Sequence, residues 1–202
     1  MISACMIVQD EEECLNRALN SIYDYVDEII IVDGGSVDKT RDISLSYSKV
    51  KLYDIPFPGN FATQKNSAIE KASKDWILFL DADEYYDAYT MSSLRGLIGI
   101  DEYDAYEFSR KTFIDGRLIN LFDQDFQIRF FRSYCRYEAN EIGISEQVIG
   151  YNKLQLCNLD IKHYKKEAWQ QKDNELYWDM GHIPPEGWSK INGQWTWNDP
   201  IK

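Results

Sequence analysis

The chain has 202 residues, of which 44% are hydrophobic and 14% are aromatic, a length that fits one domain with at most a short appendage. This apolar content excludes an intrinsically disordered chain. The 22 Lys and Arg residues are outnumbered by 34 Asp and Glu residues, and the resulting net charge of −12 argues against nucleic acid or an anionic membrane surface as the main partner.

Strand and helix patterns alternate over the first hundred residues. The apolar run 2–8 predicts a buried strand, and the three- and four-residue spacing of apolar positions from Leu15 to Val26 predicts a helix with Asp10 as its N-cap. Further strands are predicted over residues 28–33, 51–55 and 76–80, with a short helix opening at Asp38, a Pro-Gly loop at 56–60 and a helix over 61–73. This alternation predicts an α/β fold with a mostly parallel, Rossmann-like sheet flanked by helices.

The second half has a different pattern. Strands are predicted over 104–113, 127–132 and 154–163, followed by a polar helix over 167–180 and a Trp-, Pro- and Gly-rich tail over 184–202. We therefore predict one domain over residues 1–183, divided into halves 1–100 and 101–183, with the tail outside it. Five of the six tryptophans follow residue 165, where stacking on a sugar, burial and a contact between subunits are open alternatives.

Polar residues follow three of the predicted strands, at Gln9-Asp10, at Asp33-Gly-Gly-Ser36 and at Asp81-Ala-Asp83. Ligands of parallel α/β sheets bind beyond the carboxyl ends of the strands, so these segments indicate an active site. In an extended segment Asp81 and Asp83 face the same side, and two crowded carboxylates favour a cation between them. Oxygen ligands together with substrate phosphates suit Mg²⁺ or Mn²⁺, and the alternative is a solvated acidic turn.

The glycines after Asp33 allow a close approach, so a flat base fits against this loop and Asp33 can accept a hydrogen bond from a ring N–H. The alternative is a tight strand-to-helix turn capped by Asp38. The segment is not G-x-G-x-x-G, so a dinucleotide fingerprint is absent.

Three segments together resemble glycosyltransferase family 2, which has the GT-A type fold: SACMIVQDEE at 3–12, VDEIIIVDGGSVDKT at 26–40 and DWILFLDADE at 75–84. The resemblance implies inverting transfer of a sugar from a nucleotide diphosphate donor, with UDP the favoured nucleotide, to an acceptor hydroxyl. It also implies a Mn²⁺ or Mg²⁺ cofactor and a small, mixed acceptor-side region after the donor-binding half. The expected acceptor is a glycan, a lipid-linked molecule or a protein.

The resemblance also implies roles for single residues. Asp33 matches the residue that binds the base, Asp81 the one near the ribose and Asp83 the metal ligand, while His163 matches a late histidine that joins the metal or the diphosphate. Lys65, in FATQKN, stands where the family usually has Arg, which keeps the charge but loses a bidentate fork. The full donor-binding set implied is Val8, Asp10, Glu12, Asp33, Gly35, Lys65, Asp81, Ala82 and Arg129.

On the acceptor side, Glu146 matches the general base, although Ser145 replaces the usual His before it. A surface Glu on a strand is the alternative, and Glu84 is a second candidate for the base. Arg129 and Arg132 are candidates for neutralising donor phosphates, but their spacing on a strand predicts that they face opposite sides.

Other classes of protein remain open from the sequence. Nucleotidyl transfer usually uses a Gly-rich, basic loop near the N-terminus, whereas residues 8–14 are acidic. A non-catalytic nucleotide-sugar-binding or assembly protein is a further alternative, with Lys65 and Ser145 as signs of lost activity. A homo-oligomer is a possible assembly. The four cysteines show no C-x-x-C spacing, so we predict that they are buried thiols. The sequence contains no apolar run near ~18 residues and no secretory signal, which predicts a cytoplasmic protein without a membrane span.

Overall fold

The computed structural model describes residues 1–119, 125–139, 146–166, 188–191 and 194–197. The first half comprises strands β1 (Ile2–Val8), β2 (Glu28–Asp33), β3 (Val50–Asp54), β4 (Trp76–Phe79) and β5 (Glu84–Tyr85), and helices α1 (Leu15–Ile22), α2 (Thr40–Leu45), α3 (Phe61–Lys71) and α4 (Ala88–Ile98). The second half comprises β6 (Ala105–Ile114), β7 (Arg117–Leu118), β8 (Phe126–Arg132), β9 (Arg136–Ala139), β10 (Glu146–Ile149), β11 (Leu154–Lys165), β12 (Trp188–Ile191) and β13 (Gln194–Trp197).

One large sheet has the strand order β3-β2-β1-β4-β8-β6-β11-β5, with β7 paired to β6. The neighbours from β3 to β4 are parallel, as the sequence predicts. Beyond β4 the pairing is mixed, because β8 is antiparallel to both β4 and β6 whereas β11 is parallel to β6 and antiparallel to β5. The predicted α/β fold with a mixed region in the second half is confirmed.

Burial explains why the first half is regular. Every residue of β2 is buried, as expected for a central parallel strand that is covered on both faces. The apolar face of α1, made of Leu15, Ala18, Leu19 and Ile22, packs into the same core. Cys5, Cys14 and Cys135 are buried free thiols and Cys157 is half-buried. Within the described segments, no helix is both long and apolar enough to cross a bilayer.

Several local predictions need correction. Asp10 does not cap α1, which begins five residues later without a side-chain cap. The φ of Asp10, 57°, turns the chain, and the Asp10 carboxylate accepts a hydrogen bond from the Val37 amide instead of capping the helix. Helix α2 begins at Thr40 rather than at Asp38, and Asp38 accepts a hydrogen bond from the Thr40 amide. Neither helix α4 nor any strand with the bounds of β5, β7, β9, β10, β12 or β13 is predicted from the sequence.

The predicted tail contains a hairpin. Strands β12 and β13 are antiparallel, with Trp188 opposite Trp197 and Lys190 opposite Trp195. The helix predicted over 167–180 and Ser145 lie outside the described residues.

Candidate functional site

Side chains and amides connect the loop after β1 to the loop after β2. The Asp10 amide donates to Ser36 Oγ at 3.0 Å, and the Val37 amide donates to Asp10 Oδ1 at 2.8 Å. Glu12 is bonded in the same two-way manner, since its amide donates to Asp38 Oδ2 at 3.0 Å and its carboxylate accepts from the Lys39 amide at 3.1 Å. The two loops therefore form one structured rim at the carboxyl ends of β1 and β2, and Val8, at the end of β1, is buried beneath it.

Asp33 is fully buried at the end of β2. One carboxylate oxygen accepts hydrogen bonds from the Gly35 amide (3.3 Å), the Ser36 amide (3.0 Å) and Ser36 Oγ (2.6 Å), and the other accepts from Arg41 Nη1 at 2.6 Å. Burial alone would raise the pKa of Asp33, but these hydrogen bonds outweigh it and lower the pKa. The Asp33 carboxylate thus stabilises a tight turn between β2 and α2, which is the alternative that the sequence leaves open for this segment.

Open space lies beside Gly35. Its φ is +109°, which disfavours any other residue, and a Cβ placed there would meet no atom within 4 Å. At Gly34 the opposite holds, because a Cβ would lie 3.1 Å from Gln9 Oε1 and 3.3 Å from Gln64 Nε2. Gly34 thus allows close packing against Gln9 and Gln64, whereas Gly35 leaves open space on its side of the loop. The expected contact between Asp33 and the nucleobase stays a prediction, since the Asp33 carboxylate is buried and the open space lies beside Gly35.

A buried network of charges surrounds Asp81. Arg129, whose side chain is 3% exposed, donates through Nη2 to Asp81 Oδ2 and, at 2.8 Å, to Glu84 Oε1. Lys65 Nζ lies 3.5 Å from Asp81 Oδ1 and is in direct contact with Glu146 Oε1. The structure thus brings together residues of α3, β8 and β10 at the end of β4.

The charges in this network oppose the effect of burial. Burial alone would raise the pKa of Asp81, but the charges of Arg129 and Lys65 hold it well below its usual range. Conversely, burial alone would lower the pKa of Lys65, whereas Asp81 is the largest of the influences that raise it above its usual range. Asp81 is therefore ionised and Lys65 protonated throughout the physiological pH range.

Asp83 lies in a second cluster. His163 Nε2 is 3.0 Å from Asp83 Oδ2, and Lys165 Nζ is 4.0 Å from the same oxygen. Burial would raise the pKa of Asp83, and the hydrogen bond and charge of His163, followed by the charge of Lys165, lower it. The ring of His163 is oriented by Thr112, whose Oγ1 lies 3.1 Å from Nδ1.

The expectation that Asp81 and Asp83 face one cation stays a prediction, and the structure shows that the two aspartates have different charged partners. Lys65 and Arg129, from elements distant in sequence, pair with Asp81. Asp83 is instead paired with His163. Across the residues that the structure describes, no group of three or more His, Cys, Asp and Glu side chains is arranged to hold a metal. The pair Asp83–His163 nevertheless fits Mn²⁺ or Mg²⁺, since such ions in nucleotide sites take only one or two protein ligands and complete their shell with phosphate oxygens and water.

The remaining predicted residues are placed as follows. Ala82 is buried, and its expected contact with the donor stays a prediction. Glu84 is completely buried against Arg129, so it is not available to an acceptor and is wrong as a candidate base. Arg132 faces away from Arg129, as its spacing predicts, and its guanidinium stacks 4.4 Å from the centroid of Trp76.

Sequence reasoning missed two basic residues near this site. Lys165 was detectable, because on a strand it has the same orientation as His163, two residues earlier. Arg110, whose Nη1 lies 3.5 Å from Glu84 Oε1, had no local signal, since it is placed by the pairing of β6 with β8.

The sequence profile described as "Glycosyl transferase family 2" matches residues 3–153. A TPR repeat-containing protein of Synechococcus elongatus is 39% identical over 138 residues, which are 66% of this chain and 34% of that protein. The glycosyltransferase SunS of Bacillus phage SPbeta is 35% identical over 86 residues, which are 42% of this chain and 20% of SunS. The chain thus matches only about a third and a fifth of the lengths of these relatives.

Solved structures share the fold. Residues 1–349 of Staphylococcus aureus TarS, in complex with UDP, superpose with a TM-score of 0.64 at 15% sequence identity, covering 89% of this chain and 64% of that one. The complex of the same protein with UDP-GlcNAc gives a TM-score of 0.63 at 17% identity, again covering 89% of this chain and 64% of that one. At these identities the similarity establishes the architecture, which is that of GT-A type glycosyltransferases.

Proposed function

The chain belongs to glycosyltransferase family 2, and on that premise we propose that it transfers a sugar from a nucleotide diphosphate donor to an acceptor hydroxyl, with inversion at the anomeric carbon. The observation that supports this most is the convergence of Asp83–His163, Asp81–Lys65 and Glu146 at the carboxyl end of β4. UDP is the proposed nucleotide, because TarS structures of the same fold contain UDP and UDP-GlcNAc.

The donor nucleotide is proposed to lie across the rim formed by the loops after β1 and β2. A flat base fits the open surface beside Gly35. The carboxylate of Asp33 lies directly below that loop, and Arg41, which is more than a third exposed, covers it. Rotation of Arg41 out of the way would give a ring N–H access to Asp33.

Asp83 and His163 are the residues proposed to hold a divalent cation, and the imidazole favours Mn²⁺ over Mg²⁺ because Mg²⁺ takes oxygen ligands. The bound ion would offset the negative charge that the leaving diphosphate gains. Lys165 adds a second positive charge within 4.0 Å of Asp83 and is proposed to contact the diphosphate. These charges matter because the chain itself is strongly acidic.

Glu146 is proposed as the general base. Its carboxylate lies beside Lys65, which also neighbours Asp81, so the base stands next to the donor-binding aspartate. In the reaction the acceptor oxygen bonds to the anomeric carbon as its proton passes to Glu146. The bond from that carbon to the diphosphate breaks, and its electron pair leaves with the nucleoside diphosphate.

Release of nucleoside diphosphate from a panel of UDP-, GDP- and dTDP-sugars, measured with and without Mn²⁺, tests this proposal. We expect turnover with a UDP-sugar that requires Mn²⁺ and falls at least a hundredfold in Glu146→Gln, with UDP affinity unchanged. Glu138→Gln, on the neighbouring strand β9, is the matched control and should keep the parental rate. UDP binding without release under any condition would instead indicate a non-catalytic binding protein.

A further inference from the structure

Asn66 makes two hydrogen bonds to the backbone of one residue. Its Nδ2 donates to the Tyr137 carbonyl oxygen at 2.8 Å, and its Oδ1 accepts from the Tyr137 amide at 2.8 Å. A carboxamide presents a donor and an acceptor side by side, so it binds a strand edge in the way a neighbouring strand would. Asn66 thereby joins helix α3 to strand β9.

Strands β9 and β10 depend on such a connection for their position. They form a two-stranded sheet of their own, and within the described residues neither strand pairs with the large sheet. The pair packs on α3, and the ring of Tyr137 contacts those of Phe79 and Phe131 at centroid distances of 5.1 and 5.8 Å. The aromatic contacts fix how deeply the hairpin is buried, while the two hydrogen bonds to Asn66 also fix its position along the strand direction.

The register connects Asn66 to Glu146. Tyr137 lies opposite Val148, and Ala139 lies opposite Glu146, so Asn66 holds the hairpin two residue pairs away from Glu146, at a position on the same face. Lys65, the residue before Asn66, contacts the carboxylate of Glu146 itself. Two consecutive residues of α3 thus hold the β9–β10 hairpin. Asn66 binds its backbone at Tyr137, and Lys65 binds the side chain of Glu146.

We propose that Asn66 is a positioning residue, which sets the place of Glu146 through the β9–β10 hairpin without contacting the substrate. This inference rests on the proposed role of Glu146 as the base. It also gives a physical reason for the pairing of a basic residue with Asn at this point of α3, because the helix must hold both the carboxylate and the strand that presents it.

The test compares Asn66→Ala in the parental chain and in the Glu146→Gln chain. The measurement is UDP release from the UDP-sugar that the donor panel identifies, with water as acceptor and UDP affinity measured in parallel. We expect Asn66→Ala to lower kcat between tenfold and a hundredfold while UDP affinity changes by less than twofold. In the Glu146→Gln chain the same substitution should lower kcat by less than twofold, because the group that it positions is already absent. Ser67→Ala, which removes a hydroxyl bonded within α3, is the control and should leave kcat unchanged.

An equal loss of kcat in both chains, or no loss in either, would overturn the role of Asn66 and leave Glu146 as the base. A parental rate for Glu146→Gln alone would overturn the assignment of the base and this inference with it.

Amide hydrogen exchange provides a second measurement. Exchange at Tyr137, whose amide loses its acceptor, and at Gln147, which lies opposite Glu138 of β9, should become at least tenfold faster in Asn66→Ala while amides of β1 and β2 keep their rates. Unchanged exchange at Tyr137 would contradict the proposal. If the alanine variant does not fold, Asn66→Ser, which keeps one hydroxyl near Tyr137, takes its place with the same expectations.

Discussion

Replacing Arg129 by Met should destabilise the protein strongly. The Arg129 side chain is 3% exposed, and it is the closest cationic partner of Glu84, which is completely buried, as well as a partner of Asp81. Methionine has a similar length but no charge, so the substitution leaves two carboxylates short of a cation inside the protein. Removing one member of a buried ion pair costs ~3–5 kcal/mol, because the remaining charge is left without compensation.

This free energy corresponds to a large shift in melting temperature. In a protein of this size each kcal/mol lowers Tm by about 2–4 °C, so we expect a decrease of about 6–20 °C. The matched control is Arg132→Met, the same substitution three residues later on β8. Arg132 is 25% exposed, its carboxylate partner, Asp101, is 97% exposed at 3.6 Å, and its guanidinium stacks on Trp76, so the loss of the ion pair and the ring contact together should stay below ~2 kcal/mol.

Urea denaturation and thermal unfolding followed by circular dichroism measure both variants. Adding Glu84→Gln to Arg129→Met should restore part of the lost stability, because it removes one of the uncompensated charges. If Arg129→Met and Arg132→Met cost the same free energy, or if Glu84→Gln destabilises the double variant further, the reasoning from buried charge is refuted.

Three further predictions concern pH, backbone conformation and metal. Burial opposes ionisation of Glu28, but hydrogen bonds from Lys51, Ser3 and Ser73 lower its pKa from 4.5 to about 2, so its ionised form stabilises the fold above pH 4.5 and this contribution is lost as the pH falls toward 2. Acid titration of Glu28→Gln should show a shallower loss of stability in that window than the parent, and identical curves would contradict the assignment. Gly35→Ala should lower stability by ~1–2 kcal/mol through its positive φ and weaken UDP binding in calorimetry; parental values for both would argue against the base surface. Asp83→Asn should lose the rise in Tm that Mn²⁺ gives with UDP, while its Tm without ligand stays within a few degrees of the parent, and a retained metal response would remove Asp83 from the metal site.

The sequence predicts the first half of the fold well for a physical reason. Strand β2 was predicted with its observed ends because consecutive Ile and Val residues between Glu28 and Asp33 are typical of a parallel strand covered on both faces. Helix α4 was missed because its buried positions, Thr90, Met91 and Leu94, form too weak an apolar pattern to stand out from the exposed residues around them.

The site was predicted less completely than the fold because its contacts join distant parts of the chain. Asp10 looked like a helix cap, but Ser36 and Val37 of another loop determine its conformation. Likewise, the two aspartates of the DAD segment look equivalent in the sequence. They differ in the structure because Arg129, 48 residues later, is paired with Asp81, and His163, 80 residues later, is paired with Asp83. Such pairings follow from strand order, which local patterns do not encode.

Strand β11 completes the large sheet by joining β6 to β5. The family match ends at residue 153, one residue before β11 begins, yet β11 pairs with both β6 and β5 and places His163 and Lys165 beside Asp83. A chain truncated at residue 153 would expose the edge of β6 to intermolecular pairing and would lack half of the proposed metal pair. During synthesis on the ribosome the same dependence holds, so strands β1 to β4 can pair early, but the proposed catalytic centre is completed only after residue 165 has emerged from the exit tunnel.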